Sequence, residues 1–223
     1  SLKLENFSFM KETSQNFADA LKLNTYIAEL DLRAVLIETS HLATGIEALK
    51  HSSNFQSLKL TSVVIQNDIV QAIGSLLRKS SSIRILKMSN CLFQVSKISP
   101  LFHALAVNQT LETLNLKRNG WRINNFLLAK ILEANNQLKS LNLEANGIST
   151  PEASALAEAL RGNSTLEVLN LGRNRIGEEG ILALINVLKS NSTIQKIVLE
   201  YNFITKDVKK HFLSDDVRKV IKI

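Results

Sequence analysis

The 223-residue chain predicts an α/β solenoid, a stack of strand-turn-helix units, and three observations carry that prediction. The first is a fixed step. Segments beginning at Ile27, Phe55, Ile83 and Leu111 lie 28 residues apart, and those at Leu138, Leu166 and Ile194 follow after 27, 28 and 28. A constant period of this size marks a repeat architecture. The second is alternation within each segment. Leu30/Leu32, Leu58/Leu60, Leu86/Met88, Leu114/Leu116, Leu141/Leu143, Leu169/Leu171 and Ile197/Leu199 each straddle one residue, which puts every pair on one strand face. The third follows each strand. Stretches such as "EASALAEALRGN" and "GILALINVLKSN" repeat apolar residues at three and four, as a helix with one buried stripe does.

Each element has its own justification. "LKLENFSF" from Leu2 is the tail of one further unit, so there are eight copies, the first truncated. Beyond each strand an apolar residue turns the chain inward: Phe9, Ile37, Ile65, Phe93, Trp121, Ile148, Ile176 and Ile204. Pro151 suits a first helical turn. The solenoid is expected over 1–205 and a C-terminal capping helix over 206–223, with Val208, Phe212, Val217, Val220 and Ile221 facing the last repeat. Six basic and three acidic residues in that tail also suit a basic amphipathic helix on a membrane, the lesser reading. Solenoid ends need a polar cap, and the strand pattern starts at once. Further residues are therefore expected before Ser1, where a targeting signal could lie.

The unit L-x-x-L-x-L-x-x-N-x-I-x-x-x-G-x-x-x-L-x-x-x-L-x-x-N-x-T, at 28 residues, resembles the ribonuclease-inhibitor-like class of leucine-rich repeats over nearly the whole chain. The resemblance implies a horseshoe with a parallel sheet on the concave side and helices on the convex side. In the family the Asn slot hydrogen-bonds backbone in the turn. Here it holds Asn119, Asn146, Asn174 and Asn202 in the last four copies but Phe7, Val35, Val63 and Cys91 in the first four. Backbone groups there need other partners, so the first half is expected to be less regular and less rigid.

Several motifs have a sharper and a blander reading. In "LNLGRNRIGEEG", Gly172 and Gly177 have phosphate-loop spacing, but Glu178 and Glu179 stand where Lys and Ser/Thr would be needed, so the glycines are read as repeat positions. Cys91 is the sole cysteine, which rules out an intrachain disulfide. It is read as a buried apolar residue, because His103, the nearest candidate base, falls on a helix. His41, His51, His103 and His211 lack metal-ligand spacing, and no metal or cofactor is expected. The triplets at Asn108, Asn163 and Asn191 match glycosylation acceptors, yet Asn24, Asn135, Ser52 and Ser80 share their slot. A helix C-terminal turn, with Asn in the left-handed conformation, is preferred. Trp121, the sole tryptophan, occupies an isoleucine slot and reads as core.

The outward strand positions form rows. Between the paired leucines lie Lys3, Asp31, Lys59, Lys87, Asn115, Asn142, Asn170 and Val198. After them come Glu5, Arg33, Thr61, Ser89, Lys117, Glu144, Gly172 and Glu200, then Asn6, Ala34, Ser62, Asn90, Arg118, Ala145, Arg173 and Tyr201. No row assembles a catalytic set, so the chain is expected not to be an enzyme. Mixed charge with an aromatic suits a protein partner, and solenoids bind through extended concave surfaces. The partner-binding face is therefore placed on Lys59, Lys87, Asn115, Lys117, Arg118, Asn142, Glu144, Asn170, Arg173, Glu200 and Tyr201. The net charge of +7 raises nucleic acid as an alternative, but +3 of it sits in the tail and no row of stacking aromatics exists.

The resemblance implies a module that inhibits or masks an enzyme. Relatives of this repeat class also include GTPase activators and the ligand-sensing segment of NOD-like receptors, which stay as alternatives. Richness in Asn, Lys, Ser and Ile resembles the leucine-rich-repeat effectors of intracellular bacterial pathogens. That implies a host protein or a co-secreted effector enzyme as partner, and action in the cytoplasm, including host cytosol after secretion. A monomer without a membrane span is expected; no run of about 18 apolar residues occurs.

Overall fold

The computed structural model describes residues 1–94, 98–120, 126–204 and 220–222. They divide into two compact units, Ser1–Leu114 and Asn115–Ile223. Among the described residues are seven α-helices and a mostly parallel β-structure.

In the first unit, strands β1 (Leu2–Glu5), β2 (Glu29–Arg33), β3 (Ser57–Thr61) and β5 (Ile85–Ser89) are laid side by side. Their register follows the repeat: Leu2 opposite Leu30, Leu30 opposite Leu58, Leu58 opposite Leu86. Helices α1 (Lys11–Leu23), α2 (Thr39–Ala48), α3 (Asn67–Lys79) and α4 (Ser99–Val107) alternate with the strands, and each packs on the next. The alternating leucines turn toward these helices. Leu30, Leu32, Leu58, Leu60 and Met88 are fully buried with Ile46, Ile69, Ile73 and Leu101. Burying each such side chain stabilises by roughly 1.5–3 kcal/mol, so the repeat is held mainly by this stripe.

The second unit repeats the arrangement. After strand β7 (Thr113–Asn115) come β8 (Ser140–Asn142), β9 (Val168–Asn170) and β10 (Lys196–Val198), with helices α5 (Phe126–Ala134), α6 (Thr150–Gly162) and α7 (Glu178–Val187) between the strands. Leu141 lies opposite Leu169, and Leu169 opposite Ile197. Helix α6 starts as its sequence suggests. Ser149 and Glu152 form a reciprocal capping box, and Pro151 sits in the first turn where no donor is needed.

One further strand, β11 (Ile221–Lys222), pairs in parallel with β10, and Ile221 is buried. Most of the segment 206–223, expected as a capping helix, lies outside the described residues, as does Trp121.

The first unit is not the less regular one. Strands β2, β3 and β5 run five residues each, against three each for β8, β9 and β10. Two different devices hold the turns. In the second unit asparagine amides do so. The Asn174 Nδ2 donates to the carbonyls of Leu143 (3.0 Å) and Leu171 (2.8 Å), while its Oδ1 accepts from the backbone N–H of Asn146 and Ile148, each at 3.0 Å. In the first unit, Val35, Val63 and Cys91 fill that slot and are buried as apolar groups. There the backbone past the turn runs extended and pairs with the next copy. Strands β4 (Val64–Gln66) and β6 (Leu92–Gln94) form a second small parallel sheet, and Ser8 bridges Leu36, whereas the second unit adds to its amides the single bridge of Ser149 to Arg175 among the described residues. Main-chain bonds replace the missing amides, as the obligatory pairing of buried peptide groups demands.

Candidate interaction face

Each of the eight repeat strands β1, β2, β3, β5, β7, β8, β9 and β10 is followed by a residue in the left-handed region: Asn6, Ala34, Ser62, Asn90, Arg118, Ala145, Arg173 and Tyr201, with φ from 48° to 59°. This is the third of the sequence rows. It does not lie in the strands; it forms the corner where the chain leaves the sheet. The candidate positions therefore belong to two places, the strands (Lys59, Lys87, Asn115, Asn142, Asn170) and the turns that follow them, where Lys117, Glu144 and Glu200 come just before the left-handed corners and Arg118, Arg173 and Tyr201 stand at them.

In the first unit most strand-face charges are spent on one another. Lys59 pairs with Glu29, whose carboxyl also accepts from the Ser1 hydroxyl. The Lys59 hydrogen bond holds the Glu29 carboxyl below its usual range, against burial that pushes it up. The Arg33 guanidinium engages buried Asp31 through Nε and Nη2, the closest contact being 2.9 Å, and this raises the affinity of Arg33 for its proton. Lys87 has no ion pair among the described residues.

In the second unit the asparagines Asn115, Asn142 and Asn170 have a local task. Their Oδ1 atoms accept from the backbone N–H of Lys117, Glu144 and Gly172 at 2.9–3.0 Å, which fixes each strand's exit. Around them the structure gathers a cluster. The Arg173 Nε lies 3.5 Å from Glu144, and its guanidinium stacks on the Tyr201 ring, 4.1 Å from the centroid. Glu200 is taken by Lys222 at 3.1 Å. Arg118 is exposed and has no ion pair among the described residues.

Three side chains of this region were missed in the sequence. Arg175 and Phe203 share one slot, two residues past the left-handed corner, and tabulating one more row would have shown them. Lys222 could not be found that way, because β11 follows β10 at a step of 24 rather than 28.

The other motifs resolve as structural. The Gly177 N–H donates to Thr150 Oγ1 at 2.9 Å, at the start of α7. A Cβ on Gly180 would stand 2.8 Å from Ile176 Cγ2, so this glycine allows close packing of helix on turn. Burial pushes the Cys91 thiol up to about 11, the opposite of what a nucleophile needs.

The Asn-x-Thr asparagines do end helices, but not in the left-handed conformation. Asn108 and Asn163 are extended (φ −70° and −83°). Their Oδ1 atoms accept from the N–H two and three residues on. Their Nδ2 atoms donate to carbonyls of the preceding copy, Asn108 to Leu77 and Asn163 to Leu132. Asn191 is placed alike, donating to Leu160. The buried amide is thus already used on both sides.

Comparison with known proteins agrees with this geometry. A family profile described as Leucine Rich repeat matches residues 162–184, from the last residue of α6 through most of α7. The fold is that of the leucine-rich repeats. Among solved structures, a Bacteroides fragilis protein superposes with a TM-score of 0.50 at 11% identity, covering 99% of this chain and 75% of its own. The Caenorhabditis elegans tropomodulin C-terminal domain gives 0.44 at 13%, covering 80% and 92%. A structure titled leiomodin-1 actin-binding site 2 gives 0.33 at 17%, covering 86% and 79%. No curated protein matches in sequence. Leucine-rich-repeat domains are as a rule protein-interaction modules without catalysis. Among the described residues no helix is long and apolar enough to cross a membrane, and no cluster of three or more His, Cys, Asp or Glu could hold a metal.

Proposed function

We propose that this leucine-rich-repeat chain is a non-enzymatic module that binds one partner protein through its sheet side. The observation that carries this is the division of labour within each repeat. In each unit one strand face is filled by fully buried leucines, while part-exposed charges stand on the other side, Lys59 and Lys87 on strands of the first unit and Lys117, Glu144 and Glu200 in the turns just past the strands of the second. Charges held on a preorganised frame give specificity and orientation.

The ribonuclease-inhibitor-like spacing supports inhibition or masking of an enzyme as the form that binding takes. The composition supports a host protein or a co-secreted enzyme as the target, and cytosolic action. The test is affinity capture from eukaryotic lysate and from a panel of bacterial effectors, comparing wild type with Lys87→Glu and Lys117→Glu variants of equal thermal stability. A protein captured by wild type and lost with either variant is the expected result. If it is an enzyme, titrating the chain into its assay lowers its rate. Capture of nothing, or a partner indifferent to every sheet-side variant, refutes the reading.

A further inference from the structure

The second unit carries a surface that the strand-face reading does not include. Arg118, Arg173 and Tyr201 stand at three of the unit's four left-handed corners, with Ala145 at the one between Arg118 and Arg173, and Arg175 and Phe203 stand two residues beyond the last two. All five are exposed, Tyr201 to 70% and Phe203 to 67%. Strands in a sheet are about 4.8 Å apart, so this row runs roughly 15 Å along one edge of the unit.

Three properties mark it as a recognition surface. Its composition is arginine and aromatic, the residue types that dominate binding hot spots. Its centre is preorganised: the Arg173 guanidinium is clamped between the Tyr201 ring at 4.1 Å and Glu144 at 3.5 Å. The main chain beneath is fixed too, with the Arg175 N–H bonded to Ile148 O at 2.7 Å and the Phe203 N–H to Ile176 O at 3.0 Å. Its charge is unbalanced. Of three arginines only Arg173 has a carboxylate within reach; Arg118 and Arg175 have no ion pair among the described residues. The strand positions Asn142 and Asn170 alongside are by contrast occupied, each bound to its own backbone.

We infer that this turn edge is where the second unit holds its partner, and that the element it takes is an acidic protein segment carrying apolar side chains. Aspartate or glutamate carboxylates meet the arginine forks, which present paired donors to them, and an apolar residue lies against Tyr201 and Phe203. The inference rests on the protein-binding reading and moves its centre from the strand face to the edge.

The experiment is fluorescence anisotropy with a labelled 20-residue peptide repeating Asp-Glu-Phe-Glu. Its neutral counterpart, repeating Asn-Gln-Phe-Gln, and single-stranded (dT)20 are the comparison probes. Wild type is expected to bind the acidic peptide at least tenfold more tightly than the neutral one. The Arg118→Ser/Arg173→Ser/Arg175→Ser variant and the Tyr201→Ser/Phe203→Ser variant each lose tenfold or more. Lys130→Ser/Arg161→Ser/Lys189→Ser removes the same charge from the helix side of the same unit and changes binding less than twofold. If either edge variant fails to fold, Arg175→Ser alone, which breaks no side-chain hydrogen bond or ion pair among the described residues, still weakens binding threefold.

The inference is overturned if the acidic peptide does not bind. It is overturned if the helix-side variant weakens binding as much as the edge variants, and if (dT)20 binds more tightly and is lost with the same arginines. A captured protein partner lost with Lys87→Glu but retained by both edge variants would sink the edge while leaving the protein-binding reading intact. Failure of capture and of peptide binding together removes both.

Discussion

Asn174 shows what one residue does in a repeat of this kind. It fastens two neighbouring turns at once, giving Nδ2 to Leu143 O and Leu171 O and accepting two N–H groups from the preceding copy. Alanine at this position leaves several buried peptide groups unpaired, each costing about 1–3 kcal/mol less whatever water recovers. We expect Asn174→Ala to lose roughly 3–5 kcal/mol of unfolding free energy by chemical denaturation. Asn119→Ala, at a half-exposed site where water can substitute, should lose about 1 kcal/mol. Equal losses at the two sites would mean that the amide ladder is not what fixes the turns. Cys91 occupies the same slot in the first unit with the opposite chemistry. Its thiol is buried and pushed up to about 11, so at pH 8 almost none of it is thiolate. Modification by a water-soluble disulfide reagent should be slow in the folded chain and fast in denaturant. Rapid reaction without denaturant would contradict the burial.

At the scale of elements, glycines and ion pairs decide how one copy meets the next. Gly180 on α7 lies where a Cβ would press Ile176 Cγ2 at 2.8 Å and Ala153 Cβ at 3.2 Å, and both neighbours are fully buried. Gly162, the last residue of α6, has nothing within 4 Å. The same substitution should therefore have opposite signs. Gly180→Ala is expected to destabilise by about 1–3 kcal/mol through overpacking. Gly162→Ala is expected to stabilise by up to about 1 kcal/mol, because it restricts the unfolded chain and favours helix. Thermal melts of the two variants compare them directly, and a fall in both would show that α6 needs glycine at its end. Between β2 and β3, the Lys59–Glu29 pair makes stability depend on pH. The Glu29 carboxyl is held below its usual value of 4.5, first by the Lys59 hydrogen bond. A group depressed on folding stabilises fully above its unfolded value, and the contribution fades as pH falls through the folded value. Lys59→Met should thus be less stable than wild type at pH 6, with the gap closing below about pH 4.5. The Glu29 carboxyl titration, followed by NMR, should move upward. A gap that widens in acid would show the pair to be repaying nothing.

For the molecule as a whole, the period carried most of the fold. A repeat copies its inward leucines because every copy must bury the same stripe, so strand, turn and helix could be placed by counting. What counting missed depends on interactions between copies. Val35, Val63 and Cys91 told only of missing amides, whereas the substitute, the β4–β6 pairing, is made of main chain and leaves no side-chain signature. The left-handed corners were hidden as well, because Ala34, Ser62, Arg118 and Tyr201 share no residue type that marks positive φ. The interaction rows were legible as outward positions, but not which charges are already paired, since partners such as Glu29 for Lys59 and Lys222 for Glu200 come from neighbouring strands. The same nearest-neighbour logic governs stability. In a solenoid each copy touches only the next, so a core defect should be felt locally. Leu58 is fully buried between Leu30 and Leu86 in the first unit. Leu58→Ala is expected to cost about 2–5 kcal/mol, the range for a leucine truncated in a core. Native-state hydrogen exchange should lose protection first at β2, β3 and β5, whose ladder bonds bracket the defect, and less at α1. An even loss over Ser1–Leu114 would instead show this unit to open as one cooperative block, and the repeat would then be a rule of construction but not of unfolding.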